Sequence, residues 1–358
     1  MPLFTAFRGK KVLITGHTGF KGSWLAQWLL LQGTHVCGYS DQVPTNPSVF
    51  ETLSLSNQIE DHRGDVRDYA HLLKIFESFR PDFAFHLAAQ PLVRESYRNP
   101  LLTFDVNIQG TANFLECVRH VDSVRGGLVI TTDKVYEPSN EPREHRESDR
   151  LGGNDPYSAS KAAAELVFSS YQKSFFSEST SPAIASVRAG NVIGGGDWSP
   201  DRLIPDLIRA WKSDEPVFIR FPEAVRPWQH VLEPLSGYLK VASLLMENNP
   251  AVRGASFNFG PTKTEDGSVQ KIVDLTQKTF SDLKVEITPD HRKGFKETHY
   301  LRLSWEKAHE MMNWSPQLSL DESVKWTLDW YQHFYEGQNC IDLTKEQIKS
   351  YELRMENQ

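Results

Sequence analysis

The sequence predicts an α/β protein: a doubly wound parallel sheet, followed by a smaller C-terminal α/β domain that holds the substrate. Three observations predict it. Residues 11–22 read KVLITGHTGFKG, an apolar run closed by glycines at 16, 19 and 22, with an amphipathic segment starting at Ser23. Short apolar runs then alternate with helix-patterned segments as far as Ser186-Val187-Arg188, the pattern of strand, crossover and parallel strand. Beyond Gly194-Gly195-Gly196 that alternation weakens and helical segments dominate.

The first unit carries the strongest signal. Val12, Leu13 and Ile14 make a strand that ends at Thr15. Gly16 permits a tight turn, Gly19 a close approach of backbone to phosphate, and Gly22 the packing of helix on strand. Thr18 and Phe20 belong to the same turn. A pyrophosphate would lie on the helix N-terminus, which makes this a Rossmann-type dinucleotide site with GxxGxxG spacing. Residues 34–39 form the second strand. Asp41 follows it at the position of the ribose carboxylate, which implies NAD over NADP because a carboxylate repels a 2′-phosphate. The competing reading of Asp41 is a solvated loop carboxylate.

A third strand over 58–64 leads to Asp65 and Val66 beside the adenine, then a helix over 69–79 and a fourth strand over 83–87. Leu87, Ala88, Ala89 and Gln90 stand at its crevice end, where the nicotinamide half passes. Residues 99–120 read as one long helix, with Asn107 inside it. Residues 127–131 are almost wholly apolar, as a parallel strand buried on both faces requires. They deliver Thr131-Thr132-Asp133-Lys134, polar and ionisable groups at the end of an inner strand. Residues 138–153 read as a polar loop, a mobile cover over the site. Asp155 and Pro156 supply the N-cap and first position of the next helix. Tyr157 and Lys161, at i and i+4, share one of its faces. An ammonium close to a phenol lowers a pKa that starts near 10, which would make Tyr157 a base.

In the second half, helices are expected at 203–213, 231–248, 269–279, 305–312 and 320–336. Phe257-Asn258-Phe259-Gly260 reads as a strand returning to the sheet. Residues 1–189 with 225–260 are thereby assigned to the dinucleotide domain, and 190–224 with 261–358 to the substrate domain. Trp198 and Trp228 adjoin polar residues and could line a pocket. His230, one turn into a helix, reads as structural. The stretch 343–358 is either a charged helix or a frayed tail.

Bulk composition narrows the function class. With 358 residues, 24% charged and 39% hydrophobic, this is an ordinary globular chain. A net charge of -7 and no long basic run disfavour nucleic-acid binding. No apolar run approaches a membrane span, and residues 1–11 lack the apolar core of a signal peptide. Cys37, Cys117 and Cys340 are widely spaced, which suits a reducing compartment, so a cytoplasmic protein is expected. Among the 12 histidines, His309-Glu310 begins like a zinc-helix motif but lacks the second histidine, and no metal is expected.

Taken together, GHTGFKGSWL, HLAAQPLV, ITTDKVYE, NDPYSASKAAAE, VRAGNVIGGGDW, DRLIPD and RPWQHVLEPLSGYL resemble the extended short-chain dehydrogenase/reductase superfamily. Within it the resemblance is to the nucleotide-sugar 4,6-dehydratases, the branch acting on CDP-glucose, over nearly the whole chain. It implies NAD as cofactor, CDP-glucose as substrate, a homodimer or homotetramer, and a place in deoxysugar and O-antigen biosynthesis. Carried over by position, it makes Tyr157 the base for the sugar 4-hydroxyl and Lys161 the holder of the nicotinamide ribose. It has Thr132 hydrogen-bond the 4-oxygen and Asp133 act as acid for the 6-hydroxyl. Oxidation at C4 then acidifies C5–H, water leaves across C5 and C6, and the hydride returns to C6. Asn191 would contact the sugar diphosphate, and Arg202 and Arg226 would neutralise it. One position departs from the dTDP-glucose branch, where glutamate is the presumed C5 base: here it is Lys134. An ammonium accepts no proton, so Lys134 must be partly neutral, work through water, or steady the enolate. Two rivals remain: an NAD-dependent 4-epimerase or reductase, which needs no Asp133, and a non-enzymatic dinucleotide-dependent regulator on the same fold.

Overall fold

Seven parallel strands form the central sheet of the computed structural model, which describes residues 3–138, 143–262, 267–288 and 301–357. They are β1 (Lys11–Thr15), β2 (His35–Ser40), β3 (Glu60–Arg63), β4 (Phe83–His86), β5 (Gly126–Ile130) and β6 (Ala183–Ala189), joined by β10 (Ser256–Phe259). Between them come β7 (Val192–Ile193), β8 (Val217–Ile219) and β9 (Gln229–His230). In these, β7 pairs with β9, and β8 with β11 (Val285–Ile287). The sheet order is β3-β2-β1-β4-β5-β6-β10. Sheet growth reverses between β1 and β4, so a crevice opens at their C-terminal ends, where open α/β sheets bind ligands.

Helices fill both faces. The first half supplies α1 (Phe20–Leu31), α2 (Val49–Thr52), α3 (Tyr69–Phe79), α4 (Val93–Arg98), α5 (Pro100–Phe104), α6 (Gly110–His120) and α7 (Pro156–Phe175). The second half supplies α8 (Leu203–Ser213), α9 (Leu232–Met246), α10 (Val269–Thr279), α11 (Glu306–Met312), α12 (Leu320–Tyr335) and α13 (Cys340–Glu356). Side chains alternate along each strand. Val12 and Ile14 therefore enter the layer of α1 and α9, while Leu13 enters that of α3, α6 and α7. The first layer continues without a break into α12 and α13 through Trp330, Tyr331, Ile348 and Tyr351. That explains why α1 is buried from Gly22 through Leu29: it has the sheet on one side and α13 on the other.

The structure corrects several expectations. Residues 99–120 are not one regular helix. Asp105–Gln109 forms a π turn between α5 and α6, and the widened turn carries Asn107, which is buried. His230 lies in β9, before the helix rather than within it. Trp198 packs on Trp330, Tyr331 and Phe334, and the buried Trp228 donates to the Gly267 carbonyl, so both belong to packed surroundings. The cover at 138–153, of which 139–142 lie outside the described residues, is anchored. The His145 N–H donates to Arg302 O, and Glu147 accepts from the Asn258 N–H at 2.7 Å.

The C-terminal stretch is a helix, not a frayed tail. Asn339 caps α13, accepting from the N–H groups of Ile341 and Asp342. Glu352 accepts from Trp28 Nε1 at 2.7 Å and Gln32 Nε2 at 2.6 Å, which binds α13 to α1. Glu233 of α9 completes the anchor, accepting from the Leu318 N–H (2.7 Å) and the Tyr351 hydroxyl (2.6 Å). Burial pushes the Glu233 carboxyl up to about 7 against those hydrogen bonds. A group whose pKa rises on folding stabilises at low pH and loses that contribution as pH climbs through the folded value. Unfolding free energy should therefore fall by about 1 kcal/mol from this group alone between pH 6 and 8.5. Urea titrations should show the fall in the wild type and a flatter profile in Glu233→Gln.

Candidate active site

The glycine turn stands at the switch point. Gly16 has φ +77°, and a Cβ there would lie 2.5 Å from the Ala88 nitrogen. A Cβ on Gly22 would lie 2.2 Å from the Gly16 carbonyl oxygen, whereas on Gly19 the nearest atom would be 3.4 Å away. The turn is thus closed on its inner side and open on its outer side. That shape fits a pyrophosphate against the N-terminus of α1. The Thr18 hydroxyl donates to Gln42 O at 2.7 Å, tying the turn to the segment after β2. Phe20 packs toward Gly194, where a Cβ would meet its ring at 2.9 Å.

Asp41 is exposed directly after β2, its carboxylate accepting the local N–H of Gln42. Asp65 is engaged by Arg67 at 2.6 Å, which holds its carboxyl below the ordinary value, and Asn113 grips the carbonyls of Val66 and Arg67. Asp65 and Arg67 border an open cleft with Asp68, Asp105 and Gln109.

The segment after β4 is clamped. The Leu87 N–H donates to Thr15 O and the Ala88 N–H to Thr15 Oγ1, with Ala89 next in line. Asn107 accepts from the Gln90 N–H at 2.9 Å, donates to Gln90 O at 3.1 Å, and also reaches Ser160 Oγ at 2.8 Å. One amide on the π turn thereby fixes both faces of the Gln90 peptide and joins it to α7. π turns recur at such places because the extra residue re-aims a side chain.

The reactive groups meet at the end of β5. Asp155 caps α7 through the Ser158 N–H at 2.9 Å, with Pro156 at the first position, as the sequence predicts. Tyr157 and Lys161 are both buried. Thr132 donates to Asp133 Oδ1 at 2.9 Å and stands beside Tyr157, whose phenolate it favours. Asp133 is buried, and its Oδ2 has no partner among the described residues. Gly190 makes room for it, since a Cβ there would fall 1.9 Å from that oxygen. Lys134 follows, half-buried.

Lys161 Nζ donates to Ile130 O at 3.1 Å, which holds its side chain against the end of β5. Burial pushes the phenol up to about 12, opposed by the Thr132 hydrogen bond and the Arg202 guanidinium. Burial also pushes Lys161 down to about 8, against the pull of Glu165.

The diphosphate candidates are dispersed. Arg202, at the start of α8, pairs with Asp197 at 2.7 Å and lies in the field of Tyr157. Asn191 adopts φ +40° just after β6, its carbonyl accepting from the Gln229 N–H. Arg226 occupies another segment, donating from Nη1 to Val225 O and from its N–H to Gly267 O.

Sequence reasoning missed a buried pair. Glu165 accepts from Arg188 at 2.8 and 2.9 Å, and from the hydroxyls of Thr131 and Ser186. Burial alone would raise its pKa, but Arg188 and these hydroxyls hold it below the ordinary value. The available signal was spacing, because Tyr157, Lys161 and Glu165 fall at i, i+4 and i+8 on one face. His17 was also missed. It is buried against Gly38, Asp61 (2.8 Å) and Ser40 (3.0 Å), and no local pattern foretells those partners. Among the described residues one trio could approach a metal, Cys37, Glu60 and His62. Burial, with Glu60 and Asp61 nearby, raises its thiol far above the ordinary value, which opposes thiolate ligation.

A dinucleotide-shaped glycine turn beside a Thr, Tyr and Lys set defines an enzyme of the short-chain dehydrogenase/reductase class. More narrowly, the chain belongs to the GDP-mannose 4,6 dehydratase family, whose model matches residues 13–327. It is 42% identical to the CDP-glucose 4,6-dehydratase of Salmonella typhimurium, over 96% of this chain and 97% of that protein. It is 26% identical to a UDP-glucose 4-epimerase of Mycoplasma pneumoniae, over 91% and 97%. In fold it matches a dTDP-glucose 4,6-dehydratase from Streptomyces venezuelae, solved with NAD and TYD bound. The TM-score is 0.77 at 22% identity, covering 92% of this chain and 99% of that one.

Arg188→Met leaves Glu165 buried and unpaired, which should lower the unfolding free energy by about 3 to 5 kcal/mol. Urea denaturation measures it, and Glu165→Gln combined with Arg188→Met should recover part of the loss.

Proposed function

We propose that this chain is a hydro-lyase with NAD as resident cofactor. It converts CDP-D-glucose to CDP-4-dehydro-6-deoxy-D-glucose and water. The observation that carries this reading is the buried Asp133 carboxyl, whose Oδ2 has no partner among the described residues, held by Thr132 beside Tyr157. An epimerase or reductase needs the phenol but no acid for a leaving hydroxyl. The 42% identity to a CDP-glucose 4,6-dehydratase supports the substrate.

When bound, NAD supplies the hydride acceptor at C4 and the donor at C6. Gly16, Thr18, Gly19, Phe20 and Gly22 hold its pyrophosphate and Asp41 its adenosine ribose, with Asp65 and Val66 near the adenine. Leu87, Ala88, Ala89, Gln90 and Asn107 line the nicotinamide half, and Lys161 holds that ribose. Tyr157 takes the proton from the sugar 4-hydroxyl, helped by Thr132 and Arg202, the two groups that favour its phenolate. Asp133 protonates the leaving 6-hydroxyl. Lys134, next to it, serves C5 as a neutral amine base, through water, or by steadying the enolate. Asn191, Arg202 and Arg226 bind the diphosphate, in a substrate lobe made of 190–224 and 261–358.

The protein works in the cytoplasm as a homodimer or homotetramer. Tyr97, Leu101, Leu102, Leu166 and Phe175 are exposed on α4, α5 and α7, helices that pack on one another. Such a run of apolar side chains suits contact between copies. Among the described residues, no helix is long and apolar enough to cross a membrane.

Incubated with CDP-glucose and NAD, the protein should give a product lighter by one water, with no accumulating NADH. Unchanged mass with a new sugar isomer would mean an epimerase instead. Asp133→Asn should abolish water loss while sparing C4 oxidation in a single turnover. Tyr157→Phe should slow turnover by about 10²- to 10⁴-fold. If Lys134→Ala leaves C5 solvent exchange unchanged, Lys134 has no part in that step.

A further inference from the structure

His86 is the last residue of β4, buried beneath the crevice, and none of the roles above uses it. Its ring stacks on Phe114 of α6, with centroids 4.8 Å apart and planes 21° apart, which fixes the ring plane. Nε2 faces the Thr111 hydroxyl at 3.2 Å, and Nδ1 faces the Thr15 hydroxyl at 2.8 Å. Burial, with Lys161 nearby, pushes the imidazole down to about 3, so the ring is neutral and carries one proton.

The neighbouring hydroxyls decide where that proton sits. Thr111 gives its single hydroxyl proton to the Asn107 carbonyl oxygen at 2.7 Å, so towards the ring it can only accept. Nε2 is therefore the protonated nitrogen and Nδ1 an acceptor. Thr15 donates to Nδ1, and its oxygen in turn accepts the Ala88 N–H at 3.3 Å. One chain of hydrogen bonds results, every donor pointing the same way, from the Ala88 N–H through Thr15, His86 and Thr111 to the Asn107 carbonyl. With the proton on Nδ1 instead, Nε2 would face an oxygen with no proton to give, and Thr15 would lose its acceptor.

Both ends of this chain lie on the crevice. Ala88 belongs to the segment after β4, and Asn107 holds the Gln90 peptide from the π turn. The glycine turn is held by other means: the Gly16 N–H donates to Tyr39 O at 2.8 Å, with no part for the ring.

We propose that His86 is a positioning residue for the cofactor, its Nε2–H tautomer setting the Ala88 peptide and the Asn107 turn that serve the nicotinamide half. This rests on the reading of 87–90 and Asn107 as the nicotinamide side, and on no part of the CDP-glucose assignment. An imidazole suits the task because its rigid ring accepts on one edge and donates on the other, spanning β1 and α6.

Two measurements without turnover test it. Histidine ring labelling and NMR of the intact protein should show the Nε2–H tautomer from about pH 5.5 to 8.5, with the His86 signal identified by its loss in His86→Asn. The second is binding of NAD against ADP-ribose, which shares the adenosine and pyrophosphate but lacks the nicotinamide. His86→Leu should weaken NAD about tenfold and change ADP-ribose less than about twofold. His86→Asn, which keeps an acceptor towards Thr15, should recover most of the loss. Thr15→Val should weaken NAD as His86→Leu does, and the double variant should be no weaker than either.

An Nδ1–H tautomer or an imidazolium overturns the inference. So does an equal loss of NAD and ADP-ribose in these variants, which would make His86 part of the general packing. Asn107→Ala separates this inference from the reading beneath it. If that variant weakens NAD selectively while the His86 and Thr15 variants do not, only the His86 assignment falls. If it too leaves NAD binding untouched, the nicotinamide side lies elsewhere and both fall.

Discussion

The site depends on the buried ion pair between Glu165 and Arg188. Glu165 lies two turns after Tyr157 on α7, and Arg188 lies in β6, so the pair fastens the reactive helix to the sheet. The same carboxylate accepts from Thr131, the residue before Thr132, which sets the end of β5 against α7. Arg188 also donates to the Tyr136 hydroxyl, and Tyr136 donates to Asn258 in β10. Strand ends from three places and the loop at 143–153 therefore share one network. Charges this deep add little net stability against an apolar alternative, but an unpaired one is costly, so the network has essentially one acceptable geometry.

A second clamp works at the other side of the crevice. Asn107 satisfies both polar groups of the Gln90 peptide and then reaches Ser160 on α7. The π turn makes this possible, because a regular helix would rotate residue 107 away from the 88–90 segment. Glycine turn, β4 end, β5 end and α7 are thus referenced to one another through side chains rather than through backbone contacts alone. A reaction that moves a proton at three sugar positions needs that rigidity, since small displacements of an acid or base cost much of its effect.

Burial around the reacting groups shapes their chemistry more than any single neighbour. It raises Tyr157 and lowers both Lys161 and Lys21, each toward the neutral form. What restores charge is specific: Thr132 and Arg202 for the phenol, Asp133 for Lys21, Glu165 for Lys161. The crevice is therefore a place where neutral and charged states lie close in energy, which is the condition for moving protons in both directions.

The sequence alone determined the parallel sheet, the glycine turn at its switch point, the capped helix with Tyr157 and Lys161, and the polar run after β5. These are written locally, in periodicity, glycine spacing and caps, where neighbours in the chain are neighbours in space. Helices α3, α8 and α10 were legible to the residue for the same reason. Tertiary structure decided what depends on partners far along the chain. It placed Arg188 on Glu165, bent residues 105–109 into a π turn for Gln90, and buried Trp198 and Trp228. It also docked α13 through Glu352 and Tyr351, and set Lys21 against Tyr238. Each of these is a contact between segments tens to hundreds of residues apart, set by burial and by the need to satisfy buried polar groups, and no local pattern encodes such a contact.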